Sequence, residues 1–541
     1  MTASMQFRLR QALQLGYAAT MVPAYRRFFS SANNVLQAQE QLLVRTLKAN
    51  ENSRYGRAFG FDAINSIEEF QNKVPIVDFE DLRPWVDDIA KGEKQVLTSE
   101  PVLMLERTSG STGKNKLIPY TQGLLDQFSE ATYAWQLDLM LHHPALIGTK
   151  SYWSISPSFD GEKTTTGGVP IGFEDDTEYF NPVMRWALNE SMAVPASVKK
   201  LTDWHQWKLE TSLHLIRSED LGLISVWSPT FILSLFQFFT EHQKEIEQAL
   251  DAKNRRRFSA AMQEGFCQAE LLWPKLRLLS CWNDGVSAQF SGALRKHFPA
   301  VTLQGKGLMA TEGVVTFPLL QHTKTQDPGG TNASDGLQGG VIAVNSHFFE
   351  FMPIDKMSDR PLLVHELRPN ELYSPIITTA GGLYRYHLKD VVKCCGYTGR
   401  VPILEFIGKH DRVSDVCGEK LNASLFDTYL QQAKNKLGIE ASFAMAAPQL
   451  GTPATYTLFI ETNASPQLLD ALTKSVEACL CESHHYKYAR DLGQLSPLRW
   501  HRVTNGWSTF QTILLNAGTR LGDIKPTSLD ARFNWHEIFG A

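Results

Sequence analysis

Several things this chain lacks narrow its possible functions before any motif is read. Its seven cysteines (Cys267, Cys281, Cys394, Cys395, Cys417, Cys479 and Cys481) include no Cys-x-x-Cys pair, and their number is odd. That argues against zinc and disulfide frameworks and for a reducing, cytoplasmic compartment. No apolar run approaches the roughly 18–20 residues that a membrane span requires. Fifty-three basic residues stand against fifty-seven acidic ones, a net charge of −4, so nucleic acid finds no broad basic footprint. The pairs His142-His143 and His484-His485 lack the i, i+4 spacing of a helical metal site. Neither an internal repeat nor a low-complexity tract interrupts the chain. Arg8, Arg10, Arg26 and Arg27 surround an N-terminal stretch with no unbroken apolar segment, which reads as an amphipathic first helix rather than a leader.

What is present is an ordinary globular composition, 43% hydrophobic and 20% charged, over 541 residues. That length exceeds one ordinary core and implies at least two domains. Residues 1 to about 100 show helical spacing at Leu36, Leu42, Leu43 and Leu47. From about 101 to 400, short apolar runs alternate with helical patterns: strands at Leu276–Cys281, Val301–Leu303, Val341–Val344 and Leu362–Val364, and a helix at Phe290–His297. Alternation of this kind implies α/β architecture. The last 120 or so residues read as a small α+β unit. Ser424 and Asp427 suggest a capping box opening a helix over Leu425–Leu437, and Ser465-Pro466 caps another. Strands fit Tyr456–Glu461 and Pro497–Val503. The boundary falls at the polar stretch Gly408 to Arg412, dividing residues 1–407 from 413–541.

One stretch stands out. Thr108-Ser109-Gly110-Ser111-Thr112-Gly113-Lys114-Asn115-Lys116 alternates hydroxyls, glycines and lysines between two apolar runs. A strand–loop–strand of this composition can turn backbone N–H groups, hydroxyls and a lysine toward a polyphosphate. It is not a Walker A loop, which needs glycine where Thr108 stands and Ser or Thr where Asn115 stands. Kinase and P-loop ATPase readings lose their support.

Four further segments gain meaning beside the loop. Thr311 and Glu312 follow the Val301–Leu303 strand after a Gly-x-Gly turn, placing a hydroxyl and a carboxylate near a strand's C-terminal edge, where ligands sit in α/β sheets. Mg²⁺ is commonly held by one such carboxylate together with substrate phosphates. Asp390, ahead of Val391-Val392, is placed to accept hydrogen bonds from ribose hydroxyls. Asp411 lies at the domain boundary, a place for a hinge. Lys525 stands in the C-terminal loop Gly522-Asp523-Ile524-Lys525-Pro526. The aromatic turn Val226 to Phe231 offers Trp227 and Phe231 either as walls of a substrate pocket or as plain core.

Together these segments resemble the adenylate-forming superfamily of acyl-CoA synthetases, luciferases and peptide-synthetase adenylation domains. Within it the chain looks most like the auxin-responsive acyl-acid amido synthetases, the Gretchen Hagen family, in a bacterial-type version. Lys73-Val74-Pro75-Ile76, Leu82-Arg83-Pro84-Trp85, Gly381 to Val391 and Gly522 to Lys525 extend the likeness nearly end to end. Two departures are visible. Asn115 replaces the usual proline before Lys116, and Tyr386-His387-Leu388-Lys389-Asp390 replaces Tyr-Arg-x-Gly-Asp.

The resemblance implies a large N-terminal ATP- and acid-binding domain and a small mobile C-terminal one. It implies ATP-dependent adenylation of a carboxylic acid, then acyl transfer to an amine, usually an amino acid, with AMP and pyrophosphate released. Carried over by position, Ser109, Gly110, Ser111, Thr112, Gly113 and Lys116 hold the β- and γ-phosphates, and Thr311 touches the adenylate. Glu312 binds Mg²⁺, Asp390 binds the ribose, and Lys525 stabilises charge on the acyl-phosphate. Two alternatives stay open at this stage: an acyl-CoA ligase sharing the first step, and a non-catalytic nucleotide-binding relative. The expected partners are small-molecule acids and amines rather than nucleic acid or membrane, with a monomer as the expected state.

Overall fold

In the computed structural model the described residues are 3–108, 116–153, 163–172, 190–201, 203–263, 266–284, 287, 290–319, 339–354, 360–409, 413–414, 416–417, 419, 421–449, 453–492, 494–517, 519, 524–532 and 534–540. The chain separates into two compact units. The larger comprises Met1–Trp282, Ala293–Leu388 and Val392–Phe406; the smaller comprises Asn283–Gly292, Lys389–Val391 and Ile407–Ala541.

The larger unit opens with helices at Ala3–Ser31, Val35–Ala49, Ile67–Lys73 and Phe79–Ala90. Local chemistry fixes their starts. The Asn34, Ser66 and Asp78 side chains each accept a backbone N–H of the first turn, satisfying donors the helix itself leaves unpaired. Their apolar faces join a core drawn from both ends of this unit. Phe28, Leu43, Phe70, Leu82 and Trp135 pack with Val314, Phe349, Tyr373 and Leu404.

The later half of that core is an eight-stranded sheet. Its order runs Thr316–Phe317, Gly340–Ile342, Val401–Lys409, Asp390–Thr398, Leu372–Thr378, Phe348–Pro353 and Leu362–Leu363, with Tyr386–His387 pairing Leu372–Thr378. Phe348 faces Thr378 and Pro353 faces Tyr373 along its longest antiparallel ladder.

Between the two halves of this core the chain builds a second layer. Four parallel strands, Lys150–Trp153, Leu221–Ser225, Leu278–Ser280 and Thr302–Gln304, pair in chain order. Parallel neighbours require crossover connections, and the helices Trp204–Arg217, Pro229–Glu241 and Ser291–His297 supply them. Their own core gathers Tyr152, Trp207, Ile224, Phe231, Leu279 and Val301. The strands near 278 and 302 lie where the apolar runs placed them.

The smaller unit is a three-stranded sheet. Phe443–Gln449 pairs antiparallel with Thr455–Glu461, which pairs parallel with Arg499–Arg502. The helices Ala423–Leu437 and Pro466–Leu480 pack on it through Phe426, Leu430, Leu469 and Leu472. Ser465 caps the second helix as its sequence suggests, accepting the Leu468 N–H. The first helix starts earlier than the Ser424–Asp427 spacing implies. Asn422 is the cap, its side-chain oxygen Oδ1 accepting the N–H groups of Ser424 and Leu425 at 2.8 and 3.2 Å. Asp427 is buried within the helix instead, and burial pushes its carboxyl up to about 6. Gly408 and Lys409 are the last residues of the strand Val401–Lys409. Among the described residues no helix is long and apolar enough to cross a membrane.

Candidate active site

The strands Met104–Arg107 and Leu117–Tyr120 form an antiparallel hairpin, with Arg107 opposite Leu117. Just past the paired strands, the Thr108 N–H donates to the Lys116 carbonyl at 3.0 Å. Ser109, Gly110, Ser111, Thr112 and Gly113 lie outside the described residues, as does Asp411. The Lys116 ammonium is 5.9 Å from the Phe79 ring centroid, beside the first turn of the Phe79–Ala90 helix.

Tyr120, at the far end of the hairpin, ties it to a second candidate segment. Its hydroxyl donates to the Thr311 carbonyl at 2.7 Å. Thr311 and Glu312 are the two turn residues of a small hairpin, with Ala310 opposite Gly313. They do not sit directly on the edge of the parallel sheet, as the sequence suggested. That place is taken by Lys306, two residues past the strand Thr302–Gln304. Both turn residues are half-buried. Among the described residues the Glu312 carboxylate takes no hydrogen bond or ion pair, which leaves its oxygens available to a hard cation.

A buried histidine holds the base of this turn. His347 Nε2 accepts the Val314 N–H at 3.1 Å, and Nδ1 donates to Gln127 Oε1 at 3.1 Å. With one nitrogen accepting, the ring is neutral, and burial holds its pKa down near about 3. Gln127 Oε1 also accepts the Ala380 N–H at 2.8 Å, while the Thr121 hydroxyl donates to the Ala380 carbonyl at 3.2 Å. Gly381-Gly382 therefore lies against the first turns of the helix Gln122–His142. Only glycine fits at 382: φ is +95°, and a Cβ would stand 2.6 Å from Leu97 Cβ. The hairpin of the phosphate-type loop, the Thr311–Glu312 turn and the Gly381-Gly382 turn thus converge around one helix N-terminus.

Beyond Gly382, Arg385 turns inward with φ of +50°. Its guanidinium grips Glu350 through two bonds of 2.9 Å and donates to the Gln71 and Val74 carbonyls at 2.8 and 2.6 Å. This buried fork locks the segment leading to Asp390. Asp390 is 1% exposed and opens the strand Asp390–Thr398; Lys389 before it has φ of +57°. In the smaller unit Lys525 is exposed between buried Ile524 and Pro526. Paired bonds between Ala446 and the backbone of Ser528 and Asp530 anchor this segment to the small sheet.

The candidate pocket residues part company. Phe231 is buried against Tyr152 and Trp207, in the core of the parallel layer. Trp227, 41% exposed, lies just past the strand Leu221–Ser225 with its ring 5.2 Å from the Lys306 ammonium. Lys306 escapes a sequence reading because a lysine between two glycines carries no periodicity. Tyr120, Gln127 and His347 likewise stand in sequence as ordinary strand and helix residues.

Comparison with known proteins matches the chain to three successive family models. The GH3 family N-terminal domain matches residues 24–264, the central domain 340–409 and the C-terminal domain 425–529. The chain belongs to the GH3 family. Among curated GH3 relatives, a probable indole-3-acetic acid-amido synthetase from Oryza sativa subsp. japonica is 22% identical, over 91% of this chain and 91% of its own. A jasmonoyl–L-amino acid synthetase from Nicotiana attenuata is 23% identical, over 88% of this chain and 87% of its own. In fold the chain is similar to a solved acyl acid amido synthetase in complex with 2,4-DB. That match has a TM-score of 0.81 at 19% identity and covers 97% of this chain and 96% of the other.

Proposed function

We infer that this GH3 chain is an acyl-acid amido synthetase, activating a carboxylic acid with ATP and passing its acyl group to an amine, with an amino acid as the expected acceptor. A carboxylate is a poor acyl donor because oxide is a poor leaving group. Attack of its oxygen on the α-phosphorus of ATP expels pyrophosphate and leaves the acyl group on AMP, a good leaving group. The amine then attacks the acyl carbon, AMP departs, and the amine proton passes to solvent.

The observation that carries this reading is the convergence of three segments on the N-terminus of the Gln122–His142 helix, in a chain that spans its amido-synthetase relatives nearly end to end. Negative charge builds on the phosphates in the first step. Preorganised donors and cations aimed at such charge usually supply the largest catalytic share. In this proposal Ser109 to Gly113 and Lys116 hold the departing pyrophosphate, Thr311 contacts the adenylate, Asp390 binds the ribose and Lys525 meets the reacting phosphate. Use of ATP follows from the adenylate-forming chemistry of the family. Mg²⁺ fits the site through the Glu312 carboxylate, and when bound it would neutralise phosphate charge. Hinge motion at Asp411 belongs to the same proposal.

The test is ATP–pyrophosphate exchange across aryl, indolyl and aliphatic acids, followed by AMP release with each of the twenty amino acids or with coenzyme A. Exchange with some acid and amino-acid-dependent AMP release are expected. Release that requires coenzyme A instead would make the chain an acyl-CoA ligase, and exchange with no acid would refute activation altogether.

A further inference from the structure

The C-terminal end of the four-stranded parallel sheet carries a polar row that the proposed chemistry leaves unused. In a parallel sheet, residues in register point to the same face. Trp153 is in register with Ser225, Ser225 with Ser280, and Ser280 with Gln304. Two residues earlier on the same face, Leu223 and Leu278 pack with Leu139 of the Gln122–His142 helix. One helical turn back, Trp135 of that helix meets the polar row, its indole N–H donating to Gln304 Oε1 at 3.2 Å. Two residues past the strand ends, Trp227 and Lys306 continue the pattern on the same side.

Lys306 folds back over the row. Its ammonium donates to Ser225 Oγ at 2.7 Å and lies 5.4, 5.7 and 5.2 Å from the ring centroids of Trp135, Trp153 and Trp227. The side chain is almost wholly buried, and among the described residues no carboxylate pairs with it. Desolvation lowers its pKa to about 7, while three indole faces favour the protonated form. Beside it, Ser280 Oγ and Gln304 Nε2 are buried with no hydrogen-bond partner among the described residues. Buried polar groups normally find partners, so a lysine with one bond among the described residues and two such neighbours, walled by indoles, is a site built for something that accepts hydrogen bonds. Its place, the C-terminal edge of a parallel sheet, is where α/β proteins take ligands.

We propose that this cluster is the specificity end of the acid site, and that Lys306, with Ser280 and Gln304, receives an acceptor oxygen on the ring of an aromatic carboxylic acid, remote from the carboxylate that is activated. The proposal rests on the acid-activating function above and names its substrate class. The indole walls fit a flat, apolar body, and the polar row fits an oxygen such as a phenolic hydroxyl or a second carboxylate. The reacting carboxylate is the poorer occupant. An ammonium held on it stabilises the ground state, in which that oxygen carries most charge, more than the transition state.

The experiment compares benzoate with the three hydroxybenzoates and the three benzenedicarboxylates, using full-length protein. Calorimetry without ATP measures binding, and pyrophosphate exchange measures turnover. At least one oxygen-bearing acid should bind tenfold or more tighter than benzoate. In Lys306→Met that ratio should collapse to within threefold of unity, and in Ser280→Ala, a milder change, it should shrink severalfold. An oxygen-bearing acid that never outbinds benzoate, or an advantage that persists in both variants, overturns the proposal and makes the cluster a structural, water-filled one. The two readings fail separately. Exchange with aliphatic acids and no aromatic binding removes this inference and keeps the function. Lys306-dependent aromatic binding with no exchange from any acid keeps the site and removes the function.

Discussion

At the scale of single residues, Lys389 and His347 show how local chemistry sets the terms for the segments around them. Lys389 occupies the left-handed region with φ of +57°, where a side chain costs about 1–2 kcal/mol and glycine costs little. The related motif has glycine at this position. Lys389→Gly should therefore raise stability by about 1 kcal/mol, seen as a higher denaturation midpoint in urea. A fall in the midpoint would mean that the lysine side chain contributes more than its backbone costs. His347 has a pH signature. Its native pKa is held near about 3 by burial, whereas the unfolded chain protonates it near about 6.5. Below about 6.5 the unfolded state binds the extra proton, so this contribution is whole at neutral pH and is lost as pH falls toward about 3. Between pH 7 and pH 5 the wild type should lose about 2 kcal/mol that His347→Gln does not. Equal losses in both proteins would assign the acid sensitivity to other groups.

Among the elements, the connection of most consequence is the one between two hairpins. The Tyr120 hydroxyl on the Thr311 carbonyl couples the strand after the Thr108–Lys116 loop to the turn that carries Glu312. Tyr120→Phe removes one hydrogen bond and little volume, so the fold should persist. Misplacing catalytic groups by a fraction of an ångström costs rate, and exchange turnover should fall by about tenfold with a smaller change in KM for ATP. Unaltered turnover would show the tether to be structural only. Much at this scale is legible in sequence. The N-terminal helices declare themselves by apolar spacing, and the parallel strands by short apolar runs between helical patterns. The start of the Ala423–Leu437 helix is missed because Ser424 and Asp427 reproduce the spacing of a capping box two residues inside the true cap, Asn422. The row of Ser225, Ser280 and Gln304 is invisible for a deeper reason. It exists only through lateral register between strands some 20 to 55 residues apart, and no local pattern carries that information.

Over the whole molecule, the two units divide the candidate residues. Lys116, Thr311 and Glu312 belong to the larger unit, and Asp390 and Lys525 to the smaller. Lys525→Ala should reduce pyrophosphate exchange by about 10²–10³-fold, the loss expected for one charge-stabilising donor, while ATP still binds. Exchange at the wild-type rate would remove Lys525 from the mechanism. The motif loop and Lys525 stand out in sequence because glycine, hydroxyl and lysine patterns are local. The acid end does not, because its residues are scattered from Trp135 to Lys306 and are assembled only by the fold.

The order of the cores bears on how such a protein can diversify. The core beneath the phosphate-type hairpin draws on residues 28–135 and 314–404, and the parallel layer occupies the chain between them. That layer is a cassette with its own hydrophobic support. Ser225, Trp227, Ser280 and Gln304 can be rewritten there without touching the hydrogen bonds that gather Tyr120, Thr311, Gln127 and His347. A lineage could thus exchange its acid by drift in the cassette while inheriting its nucleotide chemistry intact.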